Sequence, residues 1–235
     1  MPFLPLHDHN PRVYIRRHYV TIGLMAVNLL IHLALLGFSP TDRFFVALGF
    51  GFVPGRLFDG AELAPGIPHV SALMSLLSYQ FLHGSWLHLG FNMLFLWVFG
   101  DNVEDAMGHL RFLVFFILCG IVAGLVHGLT GTASTIPTLG ASGAISGVLG
   151  AYAVLFPRAR LLVLAFGIVP WRLPALLVIG AWFAQDLLWG ATGSANAEGV
   201  AVWAHIGGMV AGAALVLLFR NDGRPRLDRI ARPWG

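Results

Sequence analysis

A serine between glycines at the start of an apolar run is the residue of this chain best suited to nucleophilic chemistry. The sequence Gly-Ala-Ser-Gly at positions 140–143 precedes apolar residues that continue to Phe156. This order predicts Ser142 at the N-terminus of a helix, where free N–H groups and the helix dipole favour developing negative charge. Small residues recur every four positions from Gly143 to Ala151, so another helix can approach one face closely. Ser142 is therefore either a packing contact or a nucleophile.

Two further polar clusters could complete such a site. His205 lies in the sequence Ala-His-Ile-Gly-Gly, and His88 and Asn92 are four residues apart, on one face of a helix. A serine hydroxyl needs a base, and the pKa of histidine suits that role. Acyl transfer also needs donors for an oxyanion, which His88, Asn92 and the N–H of Ser142 could supply. No carboxylate is near these positions in sequence and Asp186 has no evident partner, so we predict a Ser-His dyad.

The composition places these residues in a membrane protein. Of 235 residues, 57% are apolar and 11% are charged, and several runs approach the ~20 residues that cross a bilayer. The predicted fold class is all-α, a polytopic membrane protein with six transmembrane helices. The spans are predicted at about 19–37, 80–100, 112–129, 142–157, 174–190 and 203–219, with the whole membrane domain over 19–220. Segments 1–18 and 221–235 are predicted to be a cytoplasmic N-terminal segment and a cytoplasmic basic tail.

Arginine sets the predicted orientation. All 14 basic residues are arginines, and six spans leave only Arg43 and Arg56 opposite the side that holds both termini. Positive residues concentrate on the cytoplasmic side of membrane proteins, so both termini are predicted to be cytoplasmic. The arginine excess is thus a topology signal, and no nucleic-acid partner is expected. The outer ends of spans two, four and six then share one depth, which brings Asn92, Ser142 and His205 together.

Taken jointly, these motifs resemble the rhomboid family of intramembrane serine proteases. The resemblance covers about residues 71–220 and includes the Gly-Ala-Ser-Gly sequence, His83 with His88 and Asn92, and Ala-His at 204–205. Further matches are the spacing of Gly100, Glu104 and Gly108 and the sequence Val-Pro-Gly-Arg-Leu at 53–57.

The resemblance implies a serine endopeptidase that cleaves single-span or polytopic membrane proteins in the bilayer without a cofactor or metal. Ser142 would be the nucleophile, His205 the general base, His88 and Asn92 the oxyanion donors, and His83 a supporting residue. A bacterial inner membrane is implied, with the site opening to the periplasmic side. The chain departs from the family pattern at Met74-Ser75 and Ser146, where many members have Trp-Arg and an aromatic residue.

Two other interpretations remain open at this stage. A catalytically silent relative would bind membrane helices with the same scaffold. Alternatively, His83, His88, His127 and His205 could form a metal site or line a transport path. Imidazole-only metal sites usually add a carboxylate or water, and Ser142 would have no role in one.

Overall fold

Apolar runs separated by glycine, proline and polar residues fold into a bundle of helices. The computed structural model describes residues 3–165, 168–193 and 200–221. The predicted helical class is confirmed. The helices are α1 (Tyr19–Ala34), α2 (Pro40–Phe50), α3 (Pro54–Phe58), α4 (Ala72–Ser78), α5 (Trp86–Met107), α6 (His109–Leu129), α7 (Ser142–Leu155), α8 (Ala175–Thr192) and α9 (Val202–Phe219), with 3₁₀ turns at Leu35–Gly37 and Tyr79–Phe81.

Four helical segments within the described residues are long and apolar enough to cross a membrane. They are Tyr19–Gly37, His109–Leu129, Ala175–Thr192 and Val202–Phe219. Large apolar side chains face outward on them, for example Leu218 with 78% of its surface exposed, as lipid-facing residues do. The chain is therefore an integral membrane protein.

The other two predicted spans differ from these four. Helix α7 is apolar but has 14 residues, and nearly all of it is buried by its neighbours. At 1.5 Å per residue it is about 21 Å long, less than the hydrocarbon core of roughly 30 Å. This helix is therefore too short to cross the hydrocarbon core by itself. Helix α5 has 22 residues, but three carboxylates occupy its last two turns.

Those carboxylates were predicted to end the second span, and they are instead part of α5. The side chain of Glu104 is buried and accepts hydrogen bonds from the backbone N–H groups of Val20 and Thr21 at 3.0 and 2.8 Å. Asp105 accepts three backbone hydrogen bonds from residues 13–15. The helix continues because the carboxylates of Glu104 and Asp105 are stabilised by N–H donors at the start of α1 and in the segment before it.

The N-terminal segment also forms a small antiparallel sheet that the sequence analysis missed. Its strands are β1 (Phe3–Asp8), β2 (Arg160–Ala165) and β3 (Val169–Pro174), in the order β1-β2-β3. The predicted tail from residue 222 onward lies outside the described residues, as do residues 194–199 between α8 and α9.

Glycine stripes bring α7 and α9 into backbone contact. A methyl group on Gly208 would overlap the carbonyl oxygen of Gly143, and one on Gly212 would overlap that of Gly147. The four-residue spacing predicted this face, and the contact confirms it. The two helices are thereby held at a fixed relative height, and Ser142 and His205 lie on them.

Candidate active site

Ser142 is the first residue of α7, as predicted. Gly140, two residues before it, has a φ of 118° and donates its N–H to the carbonyl of Tyr79 at 2.9 Å. A residue with a side chain rarely adopts this φ, so glycine permits the sharp entry into the helix. Ser142 is half-buried, and its N–H belongs to the first turn, where helical N–H groups have no intrahelical acceptor.

His205 lies in the first turn of α9, at the level of Ser142. A methyl group on Gly143 would lie 3.6 Å from the carbonyl oxygen of Ala204. The two candidate residues are thus each adjacent in sequence to a contact between the helices. Within the described residues the Ser142 hydroxyl makes no hydrogen bond, so the structure brings the pair to one level without joining it.

His88 and Asn92 converge on Gly140, two residues before α7 begins. A methyl group on Gly140 would lie 2.7 Å from His88 Nε2 and 3.6 Å from Asn92 Nδ2. Asn92 is buried, and its Nδ2 has no hydrogen-bond partner among the described residues. Leaving a buried amide N–H without a hydrogen bond costs free energy. The free Nδ2 of Asn92 is therefore typical of a site in which a ligand supplies the acceptor.

His83 supports His88 from outside the helix. It was predicted on the second span, but α5 begins at Trp86, because Ser85 caps the helix by accepting the N–H of His88 at 3.1 Å. His83 is buried, and its ring meets that of His88 edge to face, with centroids 5.1 Å apart. The ring contact limits how His88 can turn.

The sequence analysis missed one member of this cluster. Asp186 of α8 places its Oδ2 3.3 Å from His205 Nδ1, with side-chain exposures of 13% and 15% respectively. A carboxylate in an apolar helix needs a partner, and this signal was present in the sequence. The partner could not be identified because it lies on a different helix.

The histidines do not assemble into a metal site. His88 and His127 both interact electrostatically with His205. In the described part of the chain, however, no three His, Cys, Asp or Glu side chains are grouped as ligands. The cluster consists of one hydroxyl, several imidazoles, an amide and a carboxylate, which suits proton transfer and oxyanion binding.

The chain is similar to known proteins. The chain matches the Rhomboid domain over residues 70–222. Rhomboid protein 1, mitochondrial, of Saccharomyces cerevisiae is 34% identical over 151 residues, which are 61% of this chain and 41% of that protein. Rhomboid-like protein 11, chloroplastic, of Arabidopsis thaliana is 28% identical over 160 residues, 63% of this chain and 53% of that protein.

The Homo sapiens presenilin-associated rhomboid-like protein, mitochondrial, is 34% identical over 86 residues, which are 36% of this chain and 23% of that protein. The chain thus spans less than two thirds of the length of each of these relatives. The Rhomboid domain nevertheless covers more than half of the chain itself. The family predicted from the motifs is confirmed: this chain belongs to the rhomboid family.

Proposed function

We propose that this protein is an intramembrane serine endopeptidase, which hydrolyses peptide bonds in or near transmembrane segments of membrane proteins. Ser142 is the nucleophile and His205 the general base. The observation that supports this assignment best is the convergence of His88 and Asn92 on Gly140, at the point where α7 meets the first turn of α9. In this proposal the nucleophile, the base and the oxyanion donors act together at that point.

The reaction proceeds through an acyl-enzyme. The Ser142 oxygen bonds to the carbonyl carbon of the substrate while its proton moves to His205. His205 then gives that proton to the leaving amine as the C–N bond breaks. In the second half, His205 takes a proton from water, whose oxygen displaces the serine oxygen, and returns the proton to Ser142. No cofactor or metal takes part.

Charge on the substrate oxygen is stabilised by fixed donors. The free amide of Asn92 and the His88 ring both lie beside Gly140, and the N–H of Ser142, in the first turn of α7, is the third proposed donor. Such donors are effective in a site of low dielectric because they are oriented before the charge develops.

The substrates are single-span or polytopic membrane proteins that reach the site through the lipid bilayer, and nucleic acid is not a partner. A helical substrate hides its carbonyl groups in backbone hydrogen bonds, so cleavage requires helix-weakening residues near the scissile bond. Water must reach Ser142, so we expect the polar cluster around it to line a cavity that opens to the outer side.

We also propose six membrane crossings, with both termini on the cytoplasmic side of a bacterial inner membrane and the site opening outward, as the arginine distribution predicts. Cysteines at Gly193 and Arg158, in a Cys119→Ser background, would test this with an impermeant thiol reagent. The first should react from outside and the second only after the cytoplasmic side is opened. The relatives named above are mitochondrial and chloroplastic proteins. Cell fractionation before labelling should therefore establish which membrane contains the protein.

A serine-reactive fluorophosphonate probe tests the proposed function. The purified protein should be labelled and should cleave a model single-span substrate, with chelators having no effect. Ser142→Ala and His205→Ala should lose both reactions while keeping the thermal unfolding of the wild type. A wild-type protein that is folded but neither labelled nor active would be a silent member of the family, and chelator-sensitive cleavage would indicate metal chemistry.

A further inference from the structure

Asp186 stands where an orienting carboxylate would stand in a serine hydrolase. It lies on α8 and faces His205 of α9 across the helix interface, with 3.3 Å between Oδ2 and Nδ1. Both side chains are more than four-fifths buried, so water screens their attraction only weakly. Within the described residues, the ion-pair partner of Asp186 is His205.

We propose that Asp186 is a positioning residue that holds His205 in the tautomer and orientation needed to deprotonate Ser142. This inference rests on the proposed function. An imidazole ring has two nitrogens, and in its neutral form one carries the proton. When Nδ1–H points to the carboxylate, Nε2 carries the lone pair. The nitrogen that faces away from α8 is then the one that accepts the hydroxyl proton.

The carboxylate also stabilises the product of that proton transfer. As the Ser142 oxygen attacks, its proton passes to Nε2 and the ring becomes a cation. Asp186 keeps its negative charge throughout and attracts that cation, and it accepts no proton itself. The proton leaves Nε2 for the amine of the departing peptide, which restores the neutral ring.

The separation of 3.3 Å between Asp186 Oδ2 and His205 Nδ1 fits an enzyme without bound substrate. Hydrogen bonds between a cationic nitrogen and a carboxylate are usually about 2.7–2.9 Å long. Catalytic hydrogen bonds are often longer in the free enzyme and shorten when substrate binds. The contact at 3.3 Å needs only a small movement of α8 toward α9 to become such a bond.

Asparagine and alanine at position 186 separate this role from a purely structural one. In Asp186→Asn, the amide can donate its N–H to Nδ1, which fixes the proton on Nε2 and leaves no base for Ser142. Asp186→Ala removes the orienting group but permits both tautomers. A positioning role therefore predicts a lower rate for asparagine than for alanine, whereas a packing role predicts the opposite because asparagine preserves the shape of the side chain.

The experiment measures the rate of fluorophosphonate labelling and the kcat and KM for a single-span substrate. Asp186→Asn should lower the labelling rate and kcat by at least about 10-fold, with about 10⁴-fold as the ceiling for losing such a carboxylate. KM should change little, and Asp186→Glu should recover part of the rate. Gln185→Ala, one residue away on the same helix, is the control and should react like the wild type.

Thermal unfolding of each variant is measured in the same preparation, so that a loss caused by misfolding is recognised. The inference is overturned if Asp186→Asn reacts as fast as the wild type, or if alanine is the slower variant and the losses follow thermal stability. Should the wild-type protein show no labelling that depends on Ser142, the proposed function itself fails. The two failures are therefore distinguishable.

Discussion

The α-carbon of Gly208 lies so close to the carbonyl oxygen of Gly143 that the two helices leave no room for a side chain between them. Gly208→Ala should therefore push α9 away from α7 and lower the free energy of unfolding by about 1–3 kcal/mol. The same displacement separates His205 from Ser142, so proteolytic activity should fall more than stability does. Thermal unfolding and substrate cleavage measure the two effects.

Gly180 of α8 provides the matched control for that substitution. It is also a glycine within a membrane helix, but a methyl group added there meets no atom within 4 Å. Gly180→Ala should leave activity unchanged and stabilise the helix by up to about 1 kcal/mol. Equal destabilisation by the Gly208 and Gly180 variants would contradict the close packing of α7 and α9.

Asn92→Ala tests the oxyanion assignment. If the free amide donates to the substrate oxygen mainly in the transition state, kcat should fall by about 10²–10³ while KM stays near that of the wild type. Asn28 is the control, because it is another buried asparagine of a membrane helix and donates to the carbonyl of Leu24 at 2.8 Å. Asn28→Ala should affect stability without this loss of kcat. An Asn92 variant with an altered KM alone would make Asn92 a binding residue.

Glu104 anchors the start of α1 and should be indispensable for stability. Besides the backbone groups of Val20 and Thr21, it accepts the Thr21 hydroxyl at 2.6 Å and pairs with His109 at 2.5 Å. Glu104→Ala leaves the buried N–H and hydroxyl of Thr21 without an acceptor, so the free energy of unfolding should fall by about 1–3 kcal/mol. The exposed Glu62 serves as control, and Glu62→Ala should unfold like the wild type. Similar denaturation midpoints for both variants would show that the buried contacts contribute little.

Asp8 should make the sheet sensitive to pH. Burial, together with the nearby charge of Asp101, raises the pKa of Asp8 to about 7, and its Oδ2 accepts hydrogen bonds from Asn102 and Tyr152. Because the folded state holds this proton more tightly than the unfolded state, stability falls as pH rises from about 4 to about 7. Hydrogen-exchange protection of β1 should accordingly be greater at pH 6 than at pH 8.

The variant Asp8→Asn should abolish that pH dependence, because the amide oxygen can still accept both hydrogen bonds but does not ionise. Asp59→Asn, at an exposed position, should retain it. Protection factors are compared because they correct for the intrinsic effect of pH on exchange. If the wild-type protein protects β1 equally at both pH values, the ionisation of Asp8 does not control the stability of the sheet.

Local signals in the sequence predicted the central part of the candidate site. Glycines before and after Ser142 and the apolar run behind it define a helix start, and the structure begins α7 at that residue. The four-residue spacing of glycines predicted the contact with α9. Both features depend on residues within one or two turns, where sequence and structure are most directly related.

Features that depend on distant parts of the chain were not predictable in this way. The pairing of Asp186 with His205 joins two helices, and nothing in either helix identifies the other. The carboxylates at the end of α5 suggested a loop because their partners, the N–H groups of α1 and the residues before it, lie more than 80 positions away. The Ser85 cap was a readable local signal, and it would have placed His83 before the helix.

The pairing of the sheet has a consequence for the order in which the molecule is assembled. Phe3 pairs with Ala165 and Pro5 with Val163, so β1 is synthesised about 160 residues before the strand with which it pairs. Helices α1 to α7 must all be synthesised before β2 exists. During that time the first strand has exposed backbone groups, and contacts between such distant segments form slowly. We therefore expect the sheet to form late in folding, when the segment before α1 pairs with the segment that follows α7.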